Sequence, residues 1–291
     1  MKIGFIGLGS LGTPIAINIK DSGHELYVYN RTAAKAVPLA AKGAIVCNTI
    51  AELAKQCTVV FTIVSDDAAL KSISEGEDGL IAHLVADSIH VSMSTILPQT
   101  ALELAAAHKK KGQYYLAAPV FGRPEAAAAK KLNFVVSGDT EIRNKIEPLL
   151  KDAGAAGVFD FGDTFTAANT VKLCGNFLIA SALEAIGESA ALANKSGVDA
   201  TAMWQMFSQT LFNTPLYQNY SNIIIQQRFE PAAFTAKLGL KDMNLVLQQA
   251  ASVQQKMPFA GLLKDNMQQL VNNGKDQIDW SAVSQGGQIE C

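Results

Sequence analysis

Short apolar runs alternate with longer amphipathic stretches through about residue 161. The clearest runs are Lys2–Ile6, Glu25–Tyr29, Thr58–Ile63, Ser88–Val91, Tyr114–Ala118, Asn133–Ser137 and Gly157–Phe161. Their length and their bounding turn residues predict strands. Helical spacing fills the gaps, as in Thr49–Lys55, Ala68–Ser72 and Thr100–Lys110. Strand and helix in alternation predict a mostly parallel sheet with right-handed crossovers, whose ligands gather at the carboxyl ends of the strands. After Gly162 the texture changes. Residues 166–195 form an Ala-rich stretch without proline that reads as one long helix, and only helical patterns follow: Ala200–Ser208, Leu216–Gln226, Leu238–Gln255 and Phe259–Asn272. The chain therefore predicts an α/β domain over residues 1–162 and an all-α domain over 163–291, linked by the long helix, with a cleft between them. No internal repeat or low-complexity linker is visible.

The first strand runs into Gly7-Leu8-Gly9-Ser10-Leu11-Gly12, and Pro14-Ile15-Ala16-Ile17-Asn18-Ile19 continues as a helix. A lone GxGxxG is weak, since glycines cluster in many turns. Strand before, helix after and a second strand ending at Asn30 make it a dinucleotide-binding βαβ pattern. In that pattern Gly7 permits the tight turn, Gly9 admits a pyrophosphate and Gly12 lets helix and strand pack closely. A carboxylate at the end of the second strand would accept the ribose hydroxyls and repel a 2′-phosphate. Asn30-Arg31-Thr32 stands there instead, so NADP is expected over NAD. The plainer reading of Arg31 is a solvated loop charge. Val64 and Ser65, just past the third predicted strand, are further cofactor-binding candidates by their place at a strand's carboxyl end.

Composition narrows the setting. The 291 residues are 49% apolar and 17% charged, enough for a substantial core and against disorder. Net charge is -2, and Lys109-Lys110-Lys111 reads as a solvated helix end, so no nucleic-acid partner is expected. The chain opens on a strand, which leaves no room for a signal peptide, and no apolar stretch reads as a membrane span free of polar interruption. Cys47, Cys57, Cys174 and Cys291 lack CxxC spacing, and His24, His83, His90 and His108 are scattered, so no metal site is expected. These features predict a soluble cytoplasmic protein acting on a small molecule.

Lys172 and Asn176 lie near the start of the long helix, spaced i, i+4 on one face among small and apolar neighbours. A lysine in an apolar cleft can serve as an acid/base. On spacing alone, a snorkelling lysine with a polar neighbour is the favoured reading.

The whole chain resembles the β-hydroxyacid dehydrogenase family, which includes 3-hydroxyisobutyrate dehydrogenases and semialdehyde reductases. The resemblance rests on five landmarks in order: the glycine turn with Asn30-Arg31-Thr32; Ser94-Thr95 followed by Pro98; Ala118-Pro119-Val120-x-Gly122; Lys172-Leu173-x-x-Asn176; and Lys241-Asp242. It implies a Rossmann-type domain followed by a helical one, hydride transfer between a nicotinamide and a small hydroxy acid or aldehyde acid, and a homodimer or homotetramer. It also implies Lys172 as general acid/base with Asn176 beside it. Ser94 and Thr95 would lie at the nicotinamide ribose, and Lys241 would close over cofactor and substrate. Ser94-Thr95 also reads as a helix cap before Pro98, and Lys241 as a surface lysine paired with Asp242.

The substrate loop departs from the family pattern, which places a serine where Phe121 stands. Val120, Phe121, Gly122 and Arg123 are the substrate-binding candidates, with Arg123 either a carboxylate anchor or a solvent-facing charge. Ala168 stands where family members often carry glycine. Trp204, Phe207, Phe212, Tyr217 and Tyr220 pack the helical domain or line a pocket. An imine reductase-like activity and a non-catalytic NADP-binding protein are the rival readings; Lys172 speaks against the first, and its retention with Asn176 and Lys241 against the second.

Overall fold

The computed structural model describes residues 1–287; Cys291 lies outside them. The chain divides into two compact units, the first Met1–Lys172 and the second from Leu173 onward.

In the first unit, β1 (Lys2–Ile6), β2 (Glu25–Tyr29), β3 (Ile45–Val46), β4 (Val59–Thr62), β5 (Ile89–Ser92) and β6 (Tyr114–Ala117) form one sheet in the order β3-β2-β1-β4-β5-β6, every pair parallel. The order reverses between β1 and β4, with Ile6 opposite Thr62, and that crevice is where ligands collect in open α/β sheets. Ile3, Phe5, Val28, Phe61 and Val91 are fully buried, and Ile15 and Ile19 of the helix Gly12–Asp21 join the same core.

The later strands do not extend this sheet. β7 (Val120–Phe121), β8 (Leu132–Val136) and β9 (Ala155–Asp160) make a separate sheet, with β7 antiparallel and β9 parallel to β8. Pro119 has no N–H to give to a ladder, so the chain turns after β6. The N–H groups of Val135 and Ser137 reach back to the carbonyls of Pro119 and Ala117 at 3.0 and 3.1 Å.

A buried polar chain crosses the first sheet. Thr62 Oγ1 lies 2.8 Å from His90 Nε2, His90 Nδ1 lies 2.9 Å from His108 Nε2, and His108 Nδ1 lies 2.9 Å from Gln113 Oε1. The Gln113 amide nitrogen donates to the carbonyls of Leu84 and Ile81, so its oxygen faces His108 as an acceptor. The tautomers follow in sequence: His108 donates through Nδ1, His90 donates through Nδ1, and the Thr62 hydroxyl donates to His90. Burial pushes both imidazoles down, His108 to about 4, so both are neutral.

The second unit is helical among its described residues: Ala200–Gln209, Pro215–Ile225, Ala236–Ser252, Pro258–Asn272 and Val283–Gly286 accompany most of the long helix Ala167–Lys195. Leu183, Ile186, Met243, Leu263, Met267 and Val283 are buried. Trp204 packs with Phe207, Phe212 and Tyr217 at ring separations of 5.5–6.2 Å, and Trp280 Nε1 donates to the Tyr220 hydroxyl at 3.2 Å. These aromatics therefore pack on one another.

The helix Ala167–Lys195 is long and apolar enough to cross a membrane by length and composition. Its many alanines raise mean hydropathy while its few charges are spread out. Half of its apolar window is buried, and its Glu184 receives a hydrogen bond from Asn266 at 3.0 Å, as in the core helix of a folded domain.

Candidate cofactor and proton-transfer site

The glycine turn leaves the end of β1 at the strand-order reversal. Gly7 has φ +103°, and a Cβ there would stand 2.0 Å from the Ile63 carbonyl oxygen. A Cβ on Gly12 would stand 2.0 Å from the Gly7 carbonyl oxygen. Both positions therefore require glycine. Gly9 differs: a Cβ there meets no atom within 4 Å. The turn is closed on its protein side and open above Gly9, a cradle that fits a pyrophosphate. The helix Gly12–Asp21 starts beside it with no acidic residue in its first turn, so the field there favours an anion. Leu8 is buried, whereas Ser10 is exposed.

Asn30 acts on the turn itself. Its Oδ1 accepts the Leu8 N–H at 2.8 Å and its Nδ2 donates to the Thr32 carbonyl at 2.9 Å. The amide thus ties the glycine turn to the end of β2. Arg31 and Thr32 are exposed just beyond that clamp.

The next two strand ends are tied together in the same way. The Val64 N–H donates to Ser94 Oγ at 2.9 Å, and Ser94 is buried. Ser65 is exposed and its hydroxyl donates to Asp66, which caps the helix Asp67–Ser74. The helix Pro98–Lys109 begins after Leu97, whose side chain gives it no cap. The Leu97 N–H is taken instead by Asp67 Oδ1 at 2.9 Å.

The substrate-binding candidates at β7 lie beside Lys172. Val120 is buried and pairs with Phe134, Phe121 is half-buried, and Gly122 has φ +144°. Lys172 is 8% exposed, and its Nζ lies over the Phe121 ring, 4.1 Å from the centroid. Ser137 sets the start of the long helix, its Oγ accepting the Ala168 N–H at 3.0 Å. Ala168 is fully buried in the cluster that Phe121 and Val171 flank. Arg123 Nε stands 3.9 Å from Glu125 Oε2 at the start of the short helix Pro124–Ala128.

In the second unit, Asn176 is buried and its Nδ2 donates to Asp242 Oδ2 at 2.5 Å. Lys241 Nζ stands 2.6 Å from the other oxygen, Oδ1. Lys241 thus pairs with Asp242, as its plainer reading expects. The sequence shows Asp242 only as a landmark and a partner of Lys241; its bond to Asn176 is new. Asp242 is fully buried, and Gly239, Met243 and Val246 at helical spacing place it on the inner face of the helix Ala236–Ser252. Within one turn of the long helix the chain carries Lys172 and Asn176, and a buried carboxylate fixes the second. Among the described residues no group of three or more His, Cys, Asp or Glu could hold a metal ion.

Residues 2–168 match the family described as the NAD binding domain of 6-phosphogluconate dehydrogenase, and residues 166–285 match the NAD-binding family of NADP-dependent 3-hydroxyisobutyrate dehydrogenase. The chain belongs to the β-hydroxyacid dehydrogenase family. It is 42% identical to an uncharacterized oxidoreductase, YfjR, of Bacillus subtilis (strain 168), over 97% of this chain and 98% of that one. It is 29% identical to the 2-hydroxy-3-oxopropionate reductase of Escherichia coli (strain K12), over 98% and 96%. The crystal structure of a 3-hydroxyisobutyrate dehydrogenase from Salmonella typhimurium superposes with a TM-score of 0.88 at 25% identity, covering 98% of this chain and 99% of that one. A member of this family is an oxidoreductase with a nicotinamide cofactor, and the open cradle at Gly9 fits that cofactor's pyrophosphate.

Proposed function

We propose that this chain is an NADPH-dependent reductase of small aldehyde acids, running in reverse as a 3-hydroxy acid dehydrogenase, with Lys172 as general acid/base. The observation that carries the reading is a buried lysine ammonium with Asn176 one helical turn away. Bound nicotinamide would supply the hydride chemistry. Gly7 to Gly12 would seat its pyrophosphate, with Val64, Ser65, Ser94 and Thr95 at the strand ends beyond. Arg31 and Thr32, exposed past the Asn30 clamp, would meet a 2′-phosphate, and the match to an NADP-dependent family supports that choice.

Negative charge grows on the carbonyl oxygen as an aldehyde is reduced. Lys172 would stabilise that oxygen from Nζ and pass it a proton; in reverse it would take the hydroxyl proton. The Asn176 Nδ2 is held by Asp242, which leaves its carbonyl oxygen to orient the ammonium or the substrate hydroxyl. Lys241 belongs to this reading by resemblance as a residue that reaches the bound cofactor, and Arg123 as a carboxylate anchor.

We place the enzyme in the cytoplasm as a homodimer or homotetramer. The free thiols of Cys47, Cys57 and Cys174 suit a reducing compartment. Leu178 and Leu192, 64% and 69% exposed on the long helix, suit burial by a second copy. The test is purified protein with NADPH against glyoxylate, succinic semialdehyde, tartronate semialdehyde, methylglyoxal and a cyclic imine. Turnover of an aldehyde acid supports the reading. Turnover of the imine alone, or NADPH binding without turnover of anything in the panel, refutes it.

A further inference from the structure

The half-buried ring of Phe121 combines two properties. Its face carries the Lys172 ammonium, 4.1 Å from Nζ to the centroid. A cation at that distance is attracted by the ring quadrupole. Phe121 also packs, as Val64, Phe165 and Val171 do, against the apolar cluster that includes Leu70, Ile96 and Ala168. The wall beside the ammonium therefore offers no hydrogen-bonding atom from position 121. An oxygen that exchanges a proton with Nζ lies roughly 3 Å from it. That oxygen then falls within about 7 Å of the ring centroid and the carbon next to the reacting centre, two bonds on, within roughly 9.5 Å, so a substituent turned back toward Nζ can rest on the ring.

We propose that Phe121 determines specificity here, selecting hydroxy acids with a hydrocarbon branch beside the reacting carbinol over those with a hydroxyl there. The inference rests on Lys172 exchanging the proton with substrate. A hydroxyl laid against an apolar wall sheds water and gains no partner. A methyl group of the same size buries apolar area. The two properties of Phe121 separate by substitution: leucine keeps the wall and removes the cation seat, serine removes both, and tyrosine keeps the cation seat and adds a hydroxyl to the wall.

The experiment measures kcat/KM with NADP+ on glycerate and on 3-hydroxyisobutyrate, its methyl isostere, for the wild type and for Phe121→Ser, Phe121→Leu and Phe121→Tyr. Thermal melting and NADPH binding serve as folding controls. The wild type should prefer the methyl acid by about 10- to 100-fold, the range an apolar pocket achieves against an added hydroxyl. Phe121→Ser should reduce that preference at least tenfold, mainly through KM. Phe121→Leu should keep the preference while kcat falls on both acids, and Phe121→Tyr should keep kcat while the preference narrows. A preference unchanged in Phe121→Ser overturns the role of Phe121 while leaving the dehydrogenase reading intact. A wild type that binds NADPH and oxidises neither acid overturns the specificity role, and overturns the dehydrogenase reading as well if it also reduces no aldehyde acid of the panel.

Discussion

The buried pair His90–His108 gives a stability prediction with a defined sign. Free histidine titrates near 6.5, whereas burial pushes His108 to about 4. Between those values the unfolded chain binds a proton that the folded chain refuses, so stability falls as pH is lowered from about 6.5 to about 4. At about 1.4 kcal/mol per pH unit, His108 alone removes roughly 3 kcal/mol over that window. His108→Leu should isolate the effect. At pH 7.5 it strands the His90 Nδ1–H and the Gln113 Oε1 in the core, at about 1–3 kcal/mol for each group. The gap between wild type and variant should then narrow by about 3 kcal/mol on acidification to pH 4, because the variant has nothing at 108 to protonate. Trp204 and Trp280 both lie in the second unit, so their fluorescence does not report on the sheet. Hydrogen exchange on peptides covering β4, β5 and β6, alongside urea unfolding followed by circular dichroism, provides the readout. A gap that stays constant or widens as pH falls refutes the neutral-relay account.

Three further substitutions probe other parts of the chain. Glu184 is buried, with its carboxyl pushed up to about 6 from 4.5, so folding takes up a proton there and stability drops as pH rises through that window. Glu184→Gln should therefore add about 2 kcal/mol at pH 7.5 and little at pH 4, read by tryptophan fluorescence in urea; a loss at pH 7.5 contradicts this. Arg31→Ala should raise the KM for NADPH by about 10- to 100-fold, with little change for NADH, and equal rises sink the 2′-phosphate role. Asp242→Asn should cost about 1–3 kcal/mol and lower kcat, since Lys241 loses its ion pair and Asn176 its charged acceptor. Unchanged stability with unchanged kcat would dismiss that network.

The sheet was legible because strand periodicity and the glycine turn are local signals. Gly7, Gly9 and Gly12 occupy the positions their spacing demands, and the parallel order about β1 follows from the alternation of elements. The second sheet was not legible, since Pro119 ends one ladder and β7 is only two residues long. Pairings between distant positions were hidden too. Nothing local joins His90 to His108, or Asn176 to Asp242, 66 residues apart. Phe121 was visible as a departure from the family loop, but its place under Lys172 appears only when β7 and the start of the long helix are brought together. Asn30 was legible as a residue at the end of the second strand, but not the clamp its amide makes on the glycine turn.

The central claim is that Lys172 moves the proton. The direct measurement is steady-state kcat/KM for Lys172→Met on the aldehyde acid that the wild type turns over best, with NADPH affinity measured in parallel by fluorescence. The account predicts a loss of about 10²- to 10⁴-fold in kcat/KM, with NADPH affinity within about threefold of wild type. Retention of activity within tenfold, or a loss explained entirely by weaker cofactor binding, would contradict it.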